Sequence, residues 1–121
     1  MKRLQHPGFG EEIQSLLGSN KHEDKKLAGV IKSKLKKLDR AYSKNEPLRE
    51  ERSLKGGSLG NIRYLKIYKK QQSARLYYTI IGDVLYCLHL NPSKTDKAMK
   101  EGTRELLRTR YEDTKANHDH H

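Results

Sequence analysis

The chain has 121 residues and a formal net charge of +11, with 34% charged and 33% apolar residues. That length suits one domain with a small core, and the charge directs attention to anionic partners: nucleic acid, an acidic protein or an anionic membrane surface. No run approaches the roughly 18 apolar residues of a membrane-spanning helix.

The single cysteine, Cys87, permits no intramolecular disulfide and suits a reducing compartment. No apolar segment follows the opening M-K-R-L-Q-H-P-G, so no secretory leader is expected and a cytoplasmic location is.

Lys2 to His6 reads as a short edge strand ended by Pro7 and Gly8. Glu11 to Leu17 carries Ile13, Leu16 and Leu17 at helical spacing, with Gly18 as its stop. Ser19 and Asn20 lead into a longer helix, in which Leu27, Val30, Ile31, Leu35, Leu38 and Tyr42 form one apolar stripe. Between Lys21 and Arg40 stand eight Lys/Arg and three Asp/Glu, so the rest of that helix is a solvated basic surface. Asn45, Pro47 and the Gly56-Gly57 pair mark a loop expected to run beside the sheet without regular pairing.

Ile62 to Leu90 reads as a three-stranded meander: I-R-Y-L-K-I-Y-K-K, A-R-L-Y-Y-T-I-I and V-L-Y-C-L-H-L. Gln71-Gln72 is the expected first turn and Gly82-Asp83, a two-residue hairpin signal, the second. Alternation then puts Leu65, Ile67, Leu76, Tyr78 and Ile80 against the helices. Tyr64, Lys66, Tyr68, Arg75, Tyr77 and Thr79 fall on the open face, with Tyr68 opposite Arg75 and Lys66 opposite Tyr77. Strict alternation turns His89 toward the helices with Leu85 and Cys87, although Leu88 and Leu90 make its other side apolar as well. Asn91-Pro92 is expected to end the third strand. A last helix then runs from about Asp96 to Arg110 with Met99, Leu106 and Leu107 inward. Residues 112–121, including His118, His120 and His121, read as a polar, disordered tail rather than a metal site.

A sheet face carrying cations among aromatics can hold phosphates and stack bases, which makes RNA the first partner to consider. Lys66 and Arg75 are its central cations, with Tyr64, Tyr68, Lys69 and Lys70 around them.

Two helices, a basic meander ending in V-L-Y-C-L-H-L-N-P-S-K-T-D and a last helix resemble the RelE/ParE toxin superfamily over about residues 10–111. Leu88-His89 through Lys94-Thr95-Asp96-Lys97 is similar to its HigB-like branch, and A-R-L-Y-Y-T-I-I (Ala74 to Ile81) to the family's arginine strand. The resemblance implies an α/β (α+β) fold: a small twisted antiparallel sheet, two N-terminal helices on one face and a C-terminal helix. It also implies a type II toxin that cuts messenger RNA, often at the ribosome, and is silenced by an acidic antitoxin. No metal and no cofactor is implied, since the substrate's 2′-OH can be the nucleophile.

Carried over position by position, Arg75 would stabilise the phosphorane and Lys66 would act as base. Lys94, with Lys97 as substitute, would support the leaving group. Tyr77 and Tyr64 would stack bases or complete a proton path, and His89 matches the HigB-like histidine. The pattern departs from the family at Tyr64, where many members carry a second basic residue, and at Met99, where many carry tyrosine. A ParE-like gyrase inhibitor and a non-catalytic RNA- or ribosome-binding module are the alternatives.

Overall fold

The computed structural model describes residues 2–44, 46–54, 59–69, 72–93 and 101–119. In chain order these form β1 (Lys2–Gln5), α1 (Pro7–Leu17), α2 (His22–Ser43), β2 (Arg52–Ser53), β3 (Ile62–Lys69), β4 (Gln72–Ile81), β5 (Val84–Ser93) and α3 (Glu101–Asp119). The strands make one sheet in the order β1-β5-β4-β3-β2.

The α+β architecture matches the expectation, with differences that have local causes. The sheet is mixed, because β1 pairs parallel to β5, with Lys2 opposite Val84; the long connection through two helices is what a parallel neighbour requires. The segment expected to lie unpaired contributes β2, whose Arg52 and Ser53 pair with Tyr64 and Arg63. Helix α1 begins at Pro7 rather than Glu11. His6 caps it by accepting the Gly8 N–H on Nδ1 at 3.0 Å, and Pro7 sits in the first turn, where its missing N–H costs nothing. Strand β5 continues through Asn91-Pro92 to Ser93. Beyond Cys87 it has no strand on its outer side among the described residues, which is where a proline is tolerated.

Lys69 pairs with Gln72 rather than with Ala74, so the register of β3 against β4 is shifted from the expected one. That places Lys66 directly opposite Arg75 and Tyr64 opposite Tyr77. The second turn is the expected one: Ile81 pairs with Val84, and Gly82 adopts φ +60°, which suits a residue without a Cβ.

Two apolar layers hold the sheet. On one face Phe9 and Leu16 of α1 and Leu27, Ile31, Leu35 and Leu38 of α2 pack on Leu65, Ile67, Leu76, Tyr78, Leu85 and Leu90. Each such fully buried side chain contributes about 1.5–3 kcal/mol. On the other face Leu107 of α3 packs with Leu59, Ile62, Tyr77, Tyr86 and Leu88. The helix runs well past Arg110 to Asp119, so residues 112–119 are not a loose tail: Thr114 is 5% exposed, and Tyr86 Oη lies 2.7 Å from His118 Nδ1. The expected helix start at Asp96 and the side chain of Met99 lie outside the described residues.

A polar cluster ties α2, the β2 segment, β3 and β4 together. Tyr42 and Tyr78 both donate their hydroxyls to Glu51 Oε1. Arg63 Nη1 donates to Tyr42 Oη at 2.6 Å and to Glu51 Oε2 at 3.2 Å. Burial, and next the hydrogen bond to the Glu51 carboxylate, push the Tyr42 phenol from 10.0 up to about 12, and the same causes raise Tyr78. Their stabilisation is therefore complete below the unfolded value of 10.0 and is lost as pH climbs toward about 12. The urea midpoint should fall across that window. Tyr42→Phe, itself costing about 1–3 kcal/mol, should show a shallower fall; equal slopes in the two proteins would refute the assignment.

Candidate nucleic-acid interface

The face turned away from α1 and α2 carries one continuous row of side chains. Lys66 and Arg75, both half-buried, stand opposite each other on β3 and β4. The Arg75 guanidinium lies 5.9 Å from the centroid of the Tyr64 ring and takes a hydrogen-bond partner in the Tyr77 hydroxyl. The Tyr64 and Tyr77 rings are 5.8 Å apart and tilted by 39°. Tyr77 in turn stacks on His89, with centroids 5.7 Å apart and 18° between planes.

Two positions differ from the sequence expectation. Tyr77 is on the expected face but only 1% exposed, because α3 and Leu59 cover that half of the sheet. Burial raises its phenol above the ordinary range and the hydrogen bond from Arg75 only partly offsets this, so Tyr77 stays a neutral phenol that accepts from Arg75. His89 does not point toward α1 and α2 with Cys87. Tyr78 pairs with Cys87 but Tyr77 pairs with His89, so one extra residue, Leu88, is accommodated in β5 as a bulge. The bulge resets the alternation and delivers His89 to the face of Tyr77.

What holds the bulge is a pair of residues that the sequence reading did not select. The Glu12 carboxylate of α1 takes the Leu90 N–H at 3.0 Å on Oε1 and lies 2.7 Å from His89 Nδ1 through Oε2. Arg110 of α3 donates to Glu12 Oε1 and to the Leu88 carbonyl, both at 2.9 Å, and reaches within 3.3 Å of His89 Nδ1. Strand β1 has ended by this point, its last bond being His6 N–H to the Cys87 carbonyl, and these side chains replace it along the β5 edge. A carboxylate at 2.7 Å fits a proton on Nδ1. Gly8 makes the approach possible: a Cβ there would sit 2.4 Å from the Arg110 guanidinium carbon. The only sequence signal was the apolar pair Leu88 and Leu90 around a polar histidine, a break in strict alternation.

The backbones of Tyr68 and Lys69 pair with Ser73 and Gln72 at the far end of the β3–β4 hairpin. Their side chains, and Lys70, Lys94 and Lys97 entirely, lie outside the described residues. Burial pushes the Cys87 thiol up to about 12, which removes it as a nucleophile. Among the described residues no His, Cys, Asp and Glu cluster is placed to hold a metal ion, and no helix is long and apolar enough to cross a membrane.

No family model matches the chain, and no curated protein does. Among solved structures it is similar to the crystal structure of a copper-bound mutant toxin from Helicobacter pylori, with a TM-score of 0.51 and 23% identity over 75% of this chain and 92% of that one. A solution structure of a conserved hypothetical protein from the same organism aligns with a TM-score of 0.42 and 23% identity, over 76% of this chain and 93% of that one. The first likeness shows a shared fold: the architecture expected from the sequence is that of a solved bacterial toxin.

Burial alone would raise the Glu12 carboxyl, but the hydrogen bonds from His89, Leu90 and Arg110 outweigh it and hold the group below its ordinary value of 4.5. Its stabilisation is present above that value and is lost as pH falls through the lowered one. Glu12→Gln should cost about 1–3 kcal/mol at neutral pH by urea unfolding. The gap between the two proteins should close in acid, and a gap that persists unchanged there would count against the charged cluster.

Proposed function

We propose that the chain is the toxin of a type II toxin–antitoxin pair, a metal-independent endoribonuclease that cuts messenger RNA on the ribosome. The observation that carries this reading is the direct opposition of Lys66 and Arg75 beside the Tyr64–Tyr77–His89 row. It combines a phosphate-binding cation pair, a stacking surface and a proton-transfer group. The resemblance of Leu88-His89 through Lys97 supports a HigB-like branch. The shared fold with a solved toxin supports the wider class.

In this reading the RNA 2′-oxygen attacks the adjacent phosphorus as Lys66 takes its proton. The Arg75 fork, oriented by Tyr64 and Tyr77, meets the charge on the phosphorane. The bond from phosphorus to the 5′-oxygen breaks, and His89, held through Nδ1 by Glu12, gives that oxygen a proton from Nε2. The products are a 2′,3′-cyclic phosphate and a 5′-hydroxyl. Tyr64 and Tyr68 stack bases, Lys69, Lys70 and Lys97 hold flanking phosphates, and Lys94 supports the leaving group. An acidic antitoxin would silence the basic face.

One observation favours a second reading, a basic RNA-binding module without catalysis: Tyr77 and His89 are 1% and 8% exposed, as structural residues would be. Arg75→Ala separates the two. On expression from a repressed promoter, primer extension on cellular transcripts should show new 5′ ends with the parent chain, and Arg75→Ala should cut them by about 100- to 1,000-fold. Its RNA affinity should weaken far less. Parallel losses of cleavage and affinity, or no cleavage by the parent chain, would move the assignment to the binding module.

A further inference from the structure

Strand β4 lines up three polar side chains across the open face: Arg75 stands opposite Lys66 on β3 and opposite Asn91 on β5. All three are half-exposed. We propose that Asn91 is a further catalytic residue, donating its side-chain N–H to a non-bridging oxygen of the scissile phosphate as charge gathers there. This assignment rests on the nuclease reading and adds to it a residue that the sequence marked only as the end of a strand.

The backbone holds Asn91 in place from both sides. Before it, Leu90 is 1% exposed, packs in the α1–α2 layer and gives its N–H to Glu12 Oε1 at 3.0 Å. After it, Pro92 pairs with Ala74 and has a fixed φ. With Leu90 buried on one face, alternation turns Asn91 to the other, the face of Arg75. Directly opposed side chains have Cβ atoms about 5 Å apart, so the Arg75 guanidinium and the Asn91 carboxamide can meet different oxygens of one phosphate. Among the described residues the carboxamide has no hydrogen-bond partner, so a phosphate displaces none. A donor fixed before reaction and aimed at charge that develops during it acts on the rate more than on ground-state binding.

The order of the strands agrees with the geometry of the reaction. The attacking 2′-oxygen and the leaving 5′-oxygen lie on opposite sides of the phosphorus, and Lys66 on β3 and His89 on β5 lie on opposite sides of β4. Neighbouring strands are about 4.8 Å apart, which puts base and acid about 10 Å apart with the phosphorus over Arg75 between them. Asn91 lies two residues along β5 from His89, directly across from Arg75, and so closes on the phosphate from the leaving-group side. Because a carboxamide is neutral, it supplies a donor there without the like-charge repulsion that a third cation would bring to a protonated imidazole.

The test compares the full chain with Asn91→Ala, Asn91→Asp and Asn91→Ser on one defined message in a translation extract, with cleavage followed in time by primer extension. Affinity is read separately, by fluorescence anisotropy with a 2′-O-methyl oligoribonucleotide that cannot be cut. Asn91→Ala should slow cleavage about 100-fold and weaken affinity far less. Asn91→Asp keeps the shape but replaces the donor by a charged acceptor, and should slow cleavage at least as much. Asn91→Ser keeps a shorter donor and should recover part of the rate. All three should keep the urea midpoint of the parent, since the side chain is half-exposed. The assignment is overturned if the parent cuts and Asn91→Ala cuts equally fast, if affinity falls in step with cleavage, or if Asn91→Ser recovers nothing. It is also overturned if Asn91→Ala changes which sites are cut without slowing the cut, the mark of a carboxamide that reads a base edge. No cleavage by the parent chain would overturn the nuclease reading itself, and this assignment with it.

Discussion

The Glu12 carboxylate is the point on which the arrangement of this molecule turns. It reaches from α1 to the backbone of β5, to the ring of His89 and to the guanidinium of Arg110 on α3. Without it the Leu90 N–H would lose the acceptor it has here, and an unmet donor of this kind costs about 1–3 kcal/mol. Because the donors come from three elements, meeting them fixes how α1, the sheet and α3 sit together. The bulge at Leu88 is tolerated only because side chains complete the ladder that β1 leaves unfinished.

A chain this basic and this poor in apolar residues builds two thin layers on either side of one sheet. The α1–α2 layer is the larger, fed by the regular stripe of α2 and by alternate residues of β3 and β4. The α3 layer is smaller, gathering Leu107 with Leu59, Ile62, Tyr77, Tyr86 and Leu88, and Tyr64 packs at its margin. What remains half-exposed is the strip holding Tyr64, Lys66 and Arg75. The position of α3 thus defines the candidate interface by leaving it open, while the row through Tyr77 to His89 carries the same surface beneath the helix.

Much of this was legible in the sequence because it depends on local periodicity. The stripe of α2 and the alternation of β3 and β4 need only neighbouring residues, and both were read with the correct faces. Gly82-Asp83 likewise announces its own turn. The turn expected at Gln71-Gln72 has no strong turn formers, so the register was misread and the pairing of Lys66 with Arg75 was taken as diagonal. His89 was illegible for a different reason. Its face is set by a bulge stabilised from Glu12 and Arg110, residues distant in sequence that meet only in the finished fold. The burial of Tyr77 and the extension of α3 depend on the same long-range packing; taken alone, residues 112–119 are polar.

The pairing of β1 with β5 also orders events during synthesis. Lys2 must wait for Val84, and Glu12 for His89 and Arg110, so the earliest segments leave the ribosome with their partners not yet made. A nascent chain can form α2 early, but its sheet stays incomplete until nearly the last helix has emerged. The fold therefore closes only once β5 and α3 have both been made, because β1 and α1 find their partners there.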